Sequence, residues 1–476
     1  MRLRSLSVLF VSLNLILVQP VSICQSIEAE FNNWKAKHNI SDQSIAVSLV
    51  DLNAGEEQFA FRANKPMTPA STQKLISTFF ALENFPEKKT FNTWVGHDAE
   101  IKDSILTGNL LVMGFGDMTL GSRYFDTDFM GDWLEELKKK GIRQIKGAVV
   151  CFSAWTLDQI IPSTWSDDDI GNYYGAGSHA LTYNDNLFEL HFRTGKVGSV
   201  AKLKSMRPIP YQIDMTGEVR VDNINYDNCY IYGGPYEMRR KMTGGLPPNR
   251  SDFEVKASLP NPELQLAEDL RKYLIANGIQ VGGKAGWMKQ EKVEKFTMMW
   301  IYSGQPLKDV VYWTNKKSVN LFAEQLIMHV CSAKFKDFQY LDLVSRQKQM
   351  LTEIGLDSNG IELYDGSGLS RSNKLTANLL TSILRKAKGQ KYFETYKASL
   401  PQSGRSGSLK SMLIGTDAEG KVFAKSGSFK GVRSYAGYME LPGRSLAFSM
   451  ILNDDTKSGS EMRKALEELM LILYGS

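Results

Sequence analysis

Apolar positions along the first ninety residues change rhythm twice. Ile27, Phe31 and Trp34 recur at helical spacing and predict a helix. Alternation takes over in 44–50 and 57–61, and Asn53-Ala54-Gly55 between them supplies the turn of a hairpin. Thr68 then stands at an N-cap position with Pro69 first in the helix, and Leu75, Phe79 and Leu82 share one face. From 88 to 295 the pattern breaks into short strand-like pieces between Gly, Pro and Asp turns. One helix closes that stretch, from the cap Asn261 through Leu264, Leu270 and Leu274 to Gly278. Beyond 296, amphipathic helices are predicted over 321–331 and 341–354. Three alternating strands follow at 421–429, 432–441 and 445–453, and then a helix burying Met462, Leu466, Leu469 and Leu473.

These elements predict an α/β protein of the α+β kind, an antiparallel sheet flanked by helices from both ends of the chain. A large β-rich insertion follows the helix at 70–84. In domain terms, 25–87 and 296–476 form one unit, and 88–295 an inserted region of two subdomains. No internal repeat or low-complexity tract interrupts this organisation.

The extreme N-terminus reads differently. Arg2 and Arg4 precede a short apolar run over 6–18, then Pro20 and small residues, which is the build of a cleaved export signal over 1–24. Ser7, Ser12 and Asn14 make no polar face of the kind a buried helix would show. The expected location is the periplasm. A lipid anchor at Cys24 is the less favoured alternative, because Ile23 stands where such signals carry a small residue. The remainder holds no run of eighteen apolar residues.

Charge and metal-ligand spacing exclude several classes. The formal charge of +5 falls to about +3 without the leader arginines, and Lys and acidic residues are interspersed, so nucleic-acid binding gains no support. Five histidines include no His-x-x-x-His or His-x-His pair, which argues against a metal site. Cys151, Cys229 and Cys331 form no evident disulfide framework, although one pair has the option of bridging.

Three short strings carry chemistry. In Ser71-Thr72-Gln73-Lys74, three-residue spacing on a helix puts the amine beside the hydroxyl, and the helix start offers free N–H groups to an oxyanion. Ser-x-x-Lys also occurs at Ser199, in a polar loop, and at Ser345, inside an amphipathic helix; Ser71 is set apart by its place in the first turn of a helix. In Ser318-Val319-Asn320, a hydroxyl able to relay a proton and a carboxamide able to hold Lys74 face one side of a loop. In Lys425-Ser426-Gly427-Ser428, a strand edge can add an extended peptide. There Lys425 supplies charge for a terminal carboxylate, the hydroxyls of Ser426 and Ser428 bond it, and Gly427 permits close approach of substrate. The same letters at Lys457-Ser458-Gly459-Ser460 read as a helix start, with Ser458 and Glu461 forming a capping box.

In this order the three strings resemble the signature motifs of the penicillin-binding serine D,D-peptidases and β-lactamases. The 247 positions from Ser71 to Ser318 resemble one branch, the class C low-molecular-mass penicillin-binding proteins of peptidase family S13, the penicillin-binding protein 4 type. Gly114-Phe115-Gly116-Asp117, Leu181-Thr182-Tyr183-Asn184-Asp185-Asn186 and Asp365-Gly366-Ser367-Gly368-Leu369-Ser370-Arg371 add to the likeness. Ser426 departs from the threonine usual in the family but keeps the hydroxyl. The resemblance implies a D-alanyl-D-alanine carboxypeptidase or D,D-endopeptidase acting on peptidoglycan stem peptides, acylated by β-lactams, without cofactor, and with room for a homodimer. It also implies that Arg371 touches the stem peptide and that Asn184 and Asp185 line the cleft.

The chemistry then requires Lys74 to be neutral when Ser71 attacks the penultimate D-Ala carbonyl. Bringing a lysine from a pKa of about 10.4 to about 7 takes about 4.6 kcal/mol. Desolvation, the neighbouring Lys425 and the helix N-terminus all push in that direction. The oxyanion is expected between the N–H groups of Ser71 and Ser428, and Ser318 is expected to protonate the leaving amine. A β-lactamase is the rival enzyme, disfavoured by the insertion and by the lack of a Glu-x-x-Leu-Asn string. A non-catalytic peptidoglycan-binding scaffold is the rival outside enzymes, and the intact motifs speak against it.

Overall fold

A computed structural model describes residues 20–155 and 160–475. Most of the leader lies outside the described residues, and nothing is described of the Cys24 side chain.

At the centre is a five-stranded antiparallel sheet. From its edge the order is Val422–Phe429, Val432–Leu441, Arg444–Asn453, Ile45–Asp51 and Glu57–Phe61. The N-terminal hairpin thus docks beside the last strand, so the two ends of the chain complete one sheet. Ile45–Asp51 is buried along its whole length because helices cover both faces. On one face Ile45, Val47 and Leu49 meet Phe31 and Trp34 of helix Pro20–His38 and Leu466, Leu469 and Leu473 of helix Gly459–Gly475. The indole of Trp34 donates to the Ala465 carbonyl at 2.8 Å and ties those two helices together. The opposite face carries small residues: Ala46 joins the second core, and the Ser48 hydroxyl meets Thr381 of helix Ala377–Lys388 at 2.8 Å. The largest apolar cluster on that side is built on helices Lys74–Asn84, Leu307–Lys316 and Asn320–Lys334.

Between Asn84 and Leu307 the chain leaves this sheet and builds others. One has five strands in the order Gly286–Trp287, Val149–Ser153, Leu110–Gly114, Asn92–His97 and Thr297–Ser303, with helices Phe129–Lys139 and Pro262–Ala276 packed in its core. Leu110–Gly114 and Val149–Ser153 run parallel, and the intervening helix serves as their crossover. A separate core around Phe188, Phe192, Val221 and Ile231 holds a three-stranded and a four-stranded sheet.

Several local expectations change. Helix Phe129–Lys139 was not anticipated in a stretch read as strands and turns. Asp128 caps it by accepting from the Gly131 N–H, and both residues look like turn formers in isolation. Thr68 does not cap the next helix. Its hydroxyl accepts from Lys374 Nζ at 2.7 Å, and the helix opens as a 3-10 turn, Ala70–Gln73. Strand Thr297–Ser303 pairs with Asn92–His97, so it belongs to the excursion. Cys151, Cys229 and Cys331 are free and buried rather than bridged. No described helix is long and apolar enough to cross a membrane.

Candidate active site

Ser71 sits in the 3-10 turn that leads into helix Lys74–Asn84. Ala70 before it has φ 48°, a left-handed conformation that an alanine adopts only under constraint. Gly368 supplies that constraint, because any side chain there would collide with the Ala70 carbonyl. The tight turn leaves Ser71 only partly buried, while Lys74 one turn on is fully buried.

Lys74 Nζ lies 2.9 Å from Ser71 Oγ, 2.6 Å from Asn320 Oδ1 and 2.7 Å from the Ser367 carbonyl oxygen. Burial lowers its pKa to about 7, against the opposing pull of Asp365 and Glu324. Asn320 opens helix Asn320–Lys334, and its Nδ2 donates to the Tyr174 carbonyl at 2.8 Å. The preceding turn holds Ser318 at φ 57°, and the Ser318 hydroxyl accepts from Lys425 Nζ at 3.0 Å. Lys425 is also buried, and it donates to the Ser426 carbonyl at 2.7 Å. Desolvation, then the nearby Lys74, push its pKa well below the usual lysine value. Ser71, Lys74 and Asn320 thus form one contact set and Ser318 with Lys425 a second, with contacts no longer than 3.0 Å, and the two lie close enough for the Lys74 charge to act on Lys425.

Val422–Phe429 is an edge strand, and only its first half is covered. Ala424 N–H donates to the Pro401 carbonyl, and Val422 accepts from Ser403 N–H. Strand alternation then turns the N–H groups of Ser426 and Ser428 toward the same side, where no sheet partner follows among the described residues. The Ser426 hydroxyl donates to Ser408 at 2.6 Å, and Ser428 is exposed. Gly427 is packed against the protein's own backbone: a Cβ there would stand 2.6 Å from the Pro69 carbonyl oxygen and 2.8 Å from Ser71 N.

Arg371 is exposed and lays its guanidinium 4.7 Å from the ring centre of Phe429, at the open end of the edge strand. Asn184 stays with its own turn, at φ 52° and donating from Nδ2 to the Leu187 carbonyl. Its neighbour Asp185 lines a cavity of about 320 Å³ beside Ser318 and Asn320, together with Arg123, Tyr174 and Lys317. Asp185 is paired there with Arg123 at 3.3 Å. Of the two Ser-x-x-Lys decoys, Ser345 donates to the Asp342 carbonyl and Ser199 to the Lys196 carbonyl, both exposed.

Sequence reasoning missed the groups beneath the motifs. Glu324, one turn after Asn320, is buried and accepts from the N–H groups of Gly366 and Ser367 and from the Tyr340 hydroxyl. Burial, then the neighbouring Asp365, raise its pKa to about 7. Asp365 accepts from Gln73, Gly368 and Asn373 on one oxygen and from Trp165 and Ser370 on the other. Together these carboxylates hold the 365–373 loop so that the Ser367 carbonyl meets Lys74. The spacing of Asp365 to Arg371 flagged this loop without saying what it does.

Known proteins resemble this chain in sequence and in fold. The profile of the D-Ala-D-Ala carboxypeptidase 3 (S13) family matches residues 27–471. The D-alanyl-D-alanine carboxypeptidase of Actinomadura sp. (strain R39) is 27% identical over 86% of this chain and 77% of its own. Carboxypeptidase DacB of Mycolicibacterium smegmatis is 31% identical over 89% of this chain and 79% of its own. Penicillin binding protein 4 from Haemophilus influenzae superposes with a TM-score of 0.78 at 22% identity, covering 93% of this chain and 99% of that one. By sequence over almost its full span and by fold, the chain belongs to the D-Ala-D-Ala carboxypeptidase 3 (S13) family.

Proposed function

We propose that Ser71 is the nucleophile and Lys74 its general base in the D-alanyl-D-alanine carboxypeptidase reaction of this enzyme. The observation that carries the proposal is a buried amine with a pKa near 7, 2.9 Å from a serine hydroxyl. A peptidoglycan stem peptide adds to the open half of the edge strand, antiparallel to 425–429. Its penultimate D-Ala carbonyl then lies between the N–H groups of Ser71 and Ser428, which hold the oxyanion. Ser71 Oγ attacks and its proton passes to Lys74, which Asn320 and the Ser367 carbonyl keep aimed. Ser318, held by Lys425, relays the proton from Lys74 to the departing D-alanine amine, which leaves Lys74 neutral again and Ser318 unchanged. Water next hydrolyses the ester, and Ser71 regains its proton.

Lys425 with Ser426 and Ser428 takes the terminal carboxylate, and Arg371 with Phe429 flanks the stem peptide. Asn184 acts as a positioning residue that shapes the turn carrying Asp185. The cavity on the far side of Ser318 gives room for a longer leaving strand, which suits D,D-endopeptidase cleavage as well. β-Lactams mimic the peptide and acylate Ser71.

In domain terms we propose a catalytic unit made of both chain ends, with the excursion inserted after the Ser71 helix. The pairing of Thr297–Ser303 favours a boundary after Ser303 over one at 296. Export to the periplasm, and a homodimer, complete the reading.

The test uses fluorescent penicillin and a diacetyl-Lys-D-Ala-D-Ala peptide. Ser71→Ala is expected to lose both labelling and peptide cleavage; a variant that still labels has another nucleophile. Fast turnover of penicillin over the peptide would make the enzyme a β-lactamase instead.

A further inference from the structure

Ser426 stands where the cover of the edge strand ends. The segment 400–409 lies along Val422–Phe429 as far as Ala424, whose N–H donates to the Pro401 carbonyl, and no sheet partner follows among the described residues. At that border the half-buried Ser426 hydroxyl donates to the Ser408 hydroxyl at 2.6 Å. Ser408 itself is exposed, and its hydroxyl has no second hydrogen-bond partner among the described residues. Two hydroxyls in mutual contact hold two protons, and their own bond uses one. The pair therefore offers a single donor to whatever binds beside it.

The backbone that carries Ser408 is anchored. Ser408 lies in the 3-10 turn Gly407–Leu409, and Leu409 is buried in the core that also holds Val422 and Ala424. A Cβ on Gly407 would stand 2.9 Å from the Lys316 carbonyl oxygen, so the turn packs against the segment leading to Ser318. Lys316 Nζ donates to the Leu400 carbonyl and, at 3.4 Å, to Ser406 Oγ. The Gln402 N–H donates to the same Ser406 oxygen at 3.1 Å. The Ser408 hydroxyl is thus presented from a fixed support. Ser426, by contrast, carries a plain serine rotor with three staggered wells, free of the χ1 restriction of a β-branched residue.

A carboxylate accepts and cannot donate, so a substrate carboxylate at Ser426 needs the proton that Ser426 gives to Ser408 in the empty cleft. We infer that Ser408 is a positioning residue of the carboxylate subsite: as the carboxylate arrives the bond reverses, Ser408 donates to Ser426, and Ser426 donates to the carboxylate. Only two hydroxyl protons rotate, and no covalent bond is made or broken. Donors aligned in one direction polarise each other, which strengthens the outer bond. Ser408 also holds the Ser426 rotor in the well that faces it, the service a β-methyl would otherwise give. This role rests on the reading that Lys425 and Ser426 take the terminal carboxylate, and it falls to a residue outside all three strings.

The experiment compares cleavage of diacetyl-Lys-D-Ala-D-Ala with cleavage of its C-terminal amide, read as the ratio of the two kcat/KM values. That ratio does not depend on the folded fraction, so a partly unfolded variant still reports. Wild type is expected to prefer the acid, and Ser408→Ala to lower the preference by roughly fivefold to tenfold. Ser426→Ala is expected to lose as much, and the double variant no more, because the two hydroxyls act in series. Ser426→Thr in the Ser408→Ala background is expected to recover most of the loss, since the branched side chain restricts its own rotor. Three results overturn the role of Ser408: equal slowing of acid and amide, losses that add in the double variant, or no recovery with Ser426→Thr. A wild type that cleaves acid and amide alike fails the carboxylate reading and this role with it. A preference that survives Ser408→Ala fails this role alone.

Discussion

Gly427 lies so close to Ser71 that a methyl group on it would stand 2.8 Å from the Ser71 nitrogen. The same methyl would be 2.5 Å from Ser434 Oγ and 2.6 Å from the Pro69 carbonyl oxygen. A serine side chain can rotate away, but the backbone at 69–71 has Gly368 packed against its Ala70 carbonyl. Gly427→Ala is therefore expected to push the Ser71 turn off the strand edge. Stopped-flow acylation by penicillin should slow by about a hundredfold. Urea denaturation should show a loss of about 1–3 kcal/mol, the usual cost of overpacking. Wild-type acylation in this variant would mean that the turn is free to move.

With Lys74 as the proposed base, the acid limb of the pH–rate profile should belong to it. Only the neutral amine takes a proton, and its pKa is near 7, so acylation should fall about tenfold per pH unit below 7 and level off above. Glu324 and Asp365 both raise that pKa, and Glu324 itself titrates near 7, so the limb reports on a coupled set. Glu324→Gln removes one of the anions and should move the limb to lower pH. Stability has its own sign. Between pH 7 and 10.5 the unfolded chain binds a proton at Lys74 that the folded one does not. Wild type should therefore gain stability over Lys74→Met as pH rises through that window, read by thermal denaturation.

Lys425 faces the opposite demand. Alone in the empty cleft it is pushed toward neutrality by burial and by Lys74, yet a peptide carboxylate needs it charged. Binding of a peptide ending in D-Ala should hence draw in protons, one at most from this group. Calorimetry in two buffers of different ionisation enthalpy measures that uptake. It should vanish in Lys425→Met and with a peptide amide lacking the carboxylate. Binding without uptake in the wild type would place the carboxylate elsewhere.

Asp365 should be the most sensitive position outside the motifs. Five donors converge on it, from Gln73, Trp165, Gly368, Ser370 and Asn373. Asp365→Ala strands them all and should cost roughly 3–5 kcal/mol in urea denaturation. Because the Ser367 carbonyl rides on this loop, acylation should fall as well, even at temperatures where the variant is still folded.

What was legible in the sequence follows a physical division. Alternating strands at 422–453 and the amphipathic helix carrying Leu466 could be read directly, because burial on one face imprints a period. Ser71, Lys74, Ser318, Asn320 and Lys425 were legible because few residue types perform that chemistry at that spacing. Helix Phe129–Lys139 was hidden by Asp128 and Gly131, whose turn-like chemistry is what starts it. Glu324 was hidden for another reason: its partners Tyr340, Gly366 and Ser367 lie well downstream, and a lone carboxylate beside apolar neighbours looks like any surface acid until the fold wraps around it. Asp365 stood in a string singled out for its likeness, but the string did not say that five donors converge on it. Gly427 was noticed as a point of close approach, and the Ser71 backbone is one group that comes close to it.

The contacts around Ser71 join stretches near 71, 174, 318, 367 and 425. Translation delivers the hydroxyl early and Lys425 last, with the whole excursion emerging in between. On the roles proposed for Ser71 and Lys425, a ribosome-bound or clipped chain would carry an inert serine, and a covalent antibiotic adduct would be a headcount of the molecules that finished folding.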